Sequence, residues 1–166
     1  MSFVMQRTYD KYQVKGQKGQ ISRPELQFEA DSNGYVAGQE LRPGEGVYLN
    51  GSTYIKPTDL ATQEAVVGVV SLVQNSVNID ITSPSANNAS EIVVPSGSDF
   101  QIITSGHVFV ELSGTVAKGD PAFPATDGSN TWVTDTPTGT VKNPAFFDEA
   151  GVSGDIVSIR INGQVA

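Results

Sequence analysis

The run Ala65-Val-Val-Gly-Val-Val-Ser-Leu-Val73 constrains the fold of this chain more than any other stretch. It is too short to span a bilayer and too rich in β-branched residues to make a comfortable helix. Read at alternate positions, Val67 and Val69 share one side while Val66, Val70 and Leu72 share the other. A strand that is apolar on both sides is one covered on both sides. Gly68 brings no side chain to that packing, so it marks a bulge or a close backbone neighbour. The spacing predicts a buried central strand over 65–73, at the heart of a β domain.

The rest of the chain agrees. Its 20 Val and 10 Ile outnumber 6 Leu, and 17 Gly and 9 Pro punctuate it. That balance describes short strands joined by turns. Arg42-Pro-Gly-Glu-Gly46 precedes Val47–Leu49, and Asn50-Gly51 then predicts a two-residue hairpin turn into Thr53–Ile55. Val77, Ile79 and Ile81 alternate with polar residues as in a half-buried strand, and a polar loop covers 83–91. Phe100–Ile103 and Val108–Leu112 read as two strands separated by Ser105-Gly106. Trp132-Val133 follows an Asp127-Gly128 turn, and Val157, Ile159 and Ile161 share a face of the last strand. The one helix candidate is Thr58–Ala65. The expected fold is all-β, a sandwich or barrel-like domain with an extended N-terminal arm.

Charge divides the chain. Residues 1–23 carry Arg7, Lys11, Lys15, Lys18 and Arg23 against Asp10, a balance of +4, while residues 24–166 carry −12. Residues 1–20 read as a basic arm, with Phe3, Tyr9 and Tyr12 lacking periodic apolar companions and Gly16-Gln-Lys-Gly19 interrupting any regular element. Such an arm is expected to be mobile alone and ordered on a partner. Residues 21–166 form one β-rich domain, read as two similar lobes over about 35–112 and 113–166. The lobes rest on an echo between Gly44-Glu45 and Gly119-Asp120, each followed by small and aromatic residues.

Catalytic and cofactor signatures are scarce. Without cysteine there are no disulfides or thiolate metal sites. The N-terminus has no apolar signal region, which points to a product made in a cytoplasm, and the sequons at Asn50 and Asn88 read as turn composition. The single histidine, His107, is expected in a turn, as a loop or interface residue rather than a catalyst. The loops Asp31–Gly34 and Asp127–Asn130 suit Asx turns better than calcium sites. Glu45 and Asp120 could pair as glycosidase carboxylates, but Gly-acid pairs are also ordinary turn composition. No phosphate loop or dinucleotide fingerprint occurs, and the acidic body would repel nucleic acid. Neither a cofactor nor a membrane span is expected.

Several short motifs in order resemble tailed-phage structural cement, or capsid decoration, proteins. They are Gly16-Gln-Lys-Gly-Gln-Ile21, Leu41-Arg-Pro-Gly-Glu-Gly-Val47 with Val66–Val70, Thr115-Val-Ala-Lys-Gly-Asp120 with Ala122-Phe123, and Gly154-Asp-Ile-Val-Ser-Ile159. The resemblance implies a mostly β structural protein without an active site. It would lie on the outer surface of an icosahedral head, at junctions between major capsid subunits, as a homo-oligomer, trimer or dimer. The residues expected to touch the capsid are then Arg7, Tyr9, Lys11, Tyr12, Lys15 and Lys18 of the arm, with Arg23 just beyond it. An alternative reading is a carbohydrate-binding β-sandwich of a surface fibre or adhesin, with Trp132, Tyr48 and Tyr54 as a sugar-stacking platform.

Overall fold

The computed structural model describes residues 16–23, 29–31, 34–72 and 93–162. Its elements are β1 (Glu29–Asp31), β2 (Gly46–Asn50), β3 (Thr53–Ile55), α1 (Leu60–Glu64), β4 (Gly68–Val70), β5 (Ile102–Glu111), β6 (Phe123–Pro124), β7 (Trp132–Val133), β8 (Ala145–Phe147) and β9 (Ile156–Asn162). Seven strands form one sheet in the order β3-β2-β4-β5-β9-β8, with β1 also paired to β5. The other two, β6 and β7, make a separate small hairpin. All pairings between strands are antiparallel. The all-β expectation holds.

The valine-rich run is a central, doubly covered strand, but a short one. All three residues of β4 are buried. Val69 packs in a core with Ile103, Val108, Trp132 and Ile159, whereas Val70 joins Leu41, Val47 and Ile102 in a second core. Val67 sits with Val70 rather than with Val69, so strict alternation fails on passing Gly68. The close neighbour of Gly68 is β5: a Cβ there would lie 2.5 Å from both Ile103 O and Ile102 Cγ2. Val66 and Val67 are buried ahead of the strand, Val67 N donating to Val47 O at 2.9 Å, and Val73 lies outside the described residues.

Two expected strands are one. Ser105-Gly106 is no turn but lies inside the ten-residue β5, with Gly106 at φ 114°. Continuous pairing of Ser105–Glu111 with Asn162–Ile156 of β9 carries the strand through the glycine. Earlier residues of β5 pair instead with β4 and β1. This strand therefore contributes to both cores, Ile102 to one and Ile103, Val108 and Val110 to the other. His107 consequently belongs to a strand rather than to a turn.

The β2–β3 hairpin forms as expected with its turn moved by one residue. Asn50 pairs with Thr53, leaving Gly51 and Ser52 as the central residues. Only Gly51 has positive φ (65°), so the first central position alone needs glycine. The helix is shorter than Thr58–Ala65 because Asp59 caps it: Thr62 N donates to Asp59 Oδ1 at 2.8 Å and Asp59 N donates to Thr62 Oγ1 at 3.0 Å. The expected strand at Val77–Ile81 and the loop 83–91 lie outside the described residues.

Both terminal strands of the sheet are covered along their outer edges. Tyr54 of β3 exchanges hydrogen bonds with Val36 O and Gly38 N, both at 2.9 Å. Phe147 of β8 bonds Asp120 O at 2.9 Å and Gly119 N at 2.8 Å. Edges occupied in this way do not template pairing with another sheet.

Candidate functional site

Among the described residues one turn occurs four times, in Gln17-Lys-Gly-Gln20, Arg42-Pro-Gly-Glu45, Ala117-Lys-Gly-Asp120 and Val152-Ser-Gly-Asp155. In each, the third residue is glycine with φ of 77°, 88°, 91° and 89° respectively. The fourth N–H donates to the first C=O, at 3.0, 3.2, 3.2 and 3.0 Å. The fourth side chain then folds back to accept the first N–H, at 3.0, 2.8, 2.8 and 2.9 Å. Each turn ties its fourth residue to its first twice, while its glycine N–H donates outward, to Phe109, Val70, Phe147 and Leu112 O respectively at 2.8–2.9 Å, and each opens a strand or bridge, so it launches the chain in a fixed direction. Only an acceptor oxygen is required at the fourth position, which explains why Gln20 serves as well as a carboxylate. The Gly-acid echo is thus a recurring turn, two copies before β5 and two after it.

The first two copies pack against each other. A Cβ on Gly19 would lie 2.7 Å from Gly44 N and from Val70 O, and one on Gly44 would lie 2.8 Å from Lys18 Cβ. Trp132 Nε1 donates to Gly44 O at 2.8 Å, and Asn130 Nδ2 to Pro43 O at 3.0 Å. From this junction residues 19–22 run along β5, with Gly19 N donating to Phe109 O, Phe109 N to Gln20 O, and Ser22 N to His107 O, at 2.8–2.9 Å. Ser22 Oγ lies 2.6 Å from Ser158 Oγ, which donates to Asp148 Oδ2, and His107 Nδ1 lies 2.5 Å from that same oxygen. Chain leaving Gly16 toward the N-terminus therefore starts beside the Phe109 ring, where a Gly16 Cβ would be 2.5 Å away.

Two of the seven expected contact residues lie in the described part. Lys18, at the second position of the first turn, pairs with Glu111 Oε2 at 2.8 Å. Arg23 is exposed where the segment leaves β5. Arg7, Tyr9, Lys11, Tyr12 and Lys15 lie outside the described residues. The end of the expected arm is fastened to the body, Gly19 and Gln20 by hydrogen bonds and Gly16 by its closeness to Phe109, which sequence reading missed because Gly16 and Gly19 look like interruptions. They are glycines because Phe109 and Gly44 leave no room for a side chain.

Compared with known families, residues 5–162 match the family described as structural cement protein (E217 gp24/Pam3 gp6). The chain belongs to this family. It is a structural protein of the phage capsid, associated with capsid proteins. A comparison with curated proteins found no match.

In a cement protein the remaining candidate groups read as pins. Trp132 is 2% exposed, so it offers no face to a sugar, and Tyr54 packs on Tyr35 and Phe100 with ring centroids 4.9 and 6.2 Å away. Glu45 is buried, which pushes its carboxyl above the usual range against the opposing pull of Arg42 N–H and Lys56. Its Oε2 holds the Arg42 turn and its Oε1 meets Lys56 Nζ at 3.3 Å. Asp120 likewise closes its own turn, so neither carboxylate is presented as a glycosidase acid or base. Near His107, Ser158 bonds the Asp148 carboxylate and Ser22 bonds Ser158, so neither serine bonds the imidazole, which is not the order of a nucleophilic triad. Asp127 Oδ1 accepts from Ser129 N and Ser129 Oγ, the Asx turn expected of that loop.

Glu64 at the end of α1 ties down a distant loop. Its Oε1 accepts from Thr138 N, from Thr138 Oγ1 at 3.0 Å and from Gly139 N at 2.9 Å, while Glu64 O accepts from Lys142 N at 2.8 Å. The donors from Gly139 and Thr138 hold the carboxyl below its usual range. A carboxylate whose folded value is depressed stabilises the fold above the unfolded value near 4.5 and loses that contribution as pH falls through the folded value. Amide exchange at Thr138 and Gly139, corrected for intrinsic rates, is expected to speed up as pH falls from the unfolded value through the lower folded one. Glu64→Ala should show the same faster exchange at neutral pH. Unchanged protection in both would remove Glu64 as the anchor.

Proposed function

We propose that this protein binds the outer surface of an icosahedral phage head and stabilises junctions between major capsid subunits. It acts as a homo-oligomer, dimer or trimer, gripping the shell through the basic residues 1–15 and the adjoining Lys18 and Arg23. Membership of the structural cement family over residues 5–162 carries this reading. Two features support it. Four turns closed by their own side chains, and the pairing outside β3 and β8, make a body suited to rigid side-chain docking. The basic N-terminal part, joined to an acidic body beside Phe109, concentrates cationic groups at one end of the sequence. Fifteen residues reach at most about 50 Å when fully extended, which sets the limit on how far such an arm could grip.

Heads lacking the protein, incubated with it and imaged by electron cryomicroscopy, test the reading. Added density is expected on the exterior, bridging adjacent subunits, with one copy touching another across a symmetry axis. Density confined to the interior, or to the middle of single subunits, would overturn it. Sedimentation at micromolar concentration is expected to give a dimer or trimer, and monomers both in solution and on the particle would remove the oligomer from the proposal.

A further inference from the structure

Asn50 and Gly51 stand at the tip of the β2–β3 hairpin. Asn50 is the last residue of β2 and is exposed, as are Gly51 and Ser52 after it. Space around Gly51 is open, since a Cβ there would meet nothing within 4 Å. Asn50 is held through its backbone, paired with Thr53 and accepting from Thr53 Oγ1 at 3.4 Å. Among the described residues its side-chain amide makes no hydrogen bond, and the Gly51 N–H donates none. The two groups that an asparagine–glycine step sets against each other, a carboxamide carbon and the next backbone nitrogen, are therefore both unengaged. Glycine also removes the side chain that would obstruct their approach.

We propose that Asn50 is a site of spontaneous modification, through a succinimide closed by Gly51 N. Base removes the Gly51 amide proton, the nitrogen bonds to Asn50 Cγ, and Nδ2 leaves with a proton as ammonia. Water then adds to one of the two imide carbonyls, and the C–N bond at that carbon breaks. Opening at Cγ leaves aspartate, whereas opening at the backbone carbonyl leaves isoaspartate, with the main chain rerouted through the side chain. Either product adds a negative charge to the tip, and isoaspartate also lengthens the backbone against the Asn50–Thr53 pairing. Two other asparagines are tied down. Asn143 is buried, donates to Val67 O and Thr104 O, and precedes a proline whose nitrogen carries no hydrogen. Asn130 donates to Pro43 O and precedes the branched Thr131.

Incubating the folded full chain at mildly alkaline pH, beside a synthetic peptide of residues 46–55, tests this. Peptide mapping that resolves isoaspartate separates position 50 from the other asparagine–glycine steps at 33–34 and 162–163. Aspartate and isoaspartate should accumulate together at position 50, at a rate within about tenfold of the peptide's, because a hairpin tip opens at little cost. Asn50→Gln, which would have to close a larger and slower ring, should show neither product there. A folded chain more than about tenfold slower than the peptide overturns the site, since the hairpin would then hold the amide away from Gly51 N. Aspartate without isoaspartate overturns the succinimide, because only the imide opens both ways.

Discussion

Val69→Asp is expected to unfold the protein at room temperature. Val69 is completely buried in β4, paired with Gly46 of β2 on one side and Ile103 of β5 on the other. Its side chain enters the larger core among Ile103, Val108, Ile159 and Trp132. The cations with described ion-pair partners are engaged elsewhere, Lys18 with Glu111, Arg42 with Glu40 and Lys56 with Glu45. A buried carboxylate without a partner costs more than about 4 kcal/mol, comparable with the roughly 5–15 kcal/mol that holds an ordinary domain together. Val69→Thr keeps the shape and adds one hydroxyl, so it should cost about 1–3 kcal/mol and still fold. Chemical denaturation followed by tryptophan fluorescence reads both, since Trp132 belongs to the same core. A Val69→Asp variant with the parent's midpoint would mean that β4 is not the centre of the sheet.

The elements legible in the sequence are those whose side-chain period survives burial on one face. Val157, Ile159 and Ile161 alternate with exposed Arg160 and Asn162 in β9, and Val47 to Ile55 carries its own hairpin signal. Where the backbone departs from that period the reading slipped. In the run at 65–73 every residue type fits a strand, but among the described residues ladder pairing covers only Gly68–Val70, so composition overstated the length. At Ser105-Gly106 a turn-like dipeptide sits inside a strand because β9 pairs on both sides of it. Partners remote in sequence decided both cases, and a single chain read locally cannot reveal them.

The site shows the same division. Charge asymmetry marked the N-terminal part, which needs only counting. The repeated turn was half visible, as Gly44-Glu45 and Gly119-Asp120. Its defining feature is a side chain returning to an N–H three residues earlier, and Gln20 and Asp155 perform it in surroundings that share little else with the other two copies. Glycine identity carried the missing signal. Gly19, Gly44, Gly119 and Gly154 all take positive φ immediately before an acceptor side chain, a pattern that could have been sought as x-x-Gly-Asp/Glu/Gln. It would also have assigned Gly16–Gln20 to the body.

That assignment sharpens the second large effect, removal of the N-terminal residues. Deleting residues 1–15 should leave the thermal stability of the isolated protein within about 0.5 kcal/mol, the range of surface changes that break no named interaction. Deleting residues 1–22 should not, because it strips the bonds of Gly19 and Gln20 to Phe109, of Leu72 N to Gly19 O, and the Ser22–Ser158 contact. Binding to heads should respond in the opposite proportion, with most of the loss reached at residue 15. On the shell, each residue brought to order costs about 1–2 kcal/mol of backbone entropy. Burial of Phe3, Tyr9 and Tyr12 against capsid protein must offset that, at roughly 1.5–3 kcal/mol for each large side chain fully buried. Charge adds a smaller, salt-sensitive part. Replacing Arg7, Lys11 and Lys15 together should slow association, and the difference from wild type should shrink at high salt. Lys18 should matter less to binding than these three, since Glu111 already holds it at 2.8 Å. A 1–15 deletion that binds heads as tightly as the full chain would leave docking to the body alone, with Arg23 and the turns as its contact surface.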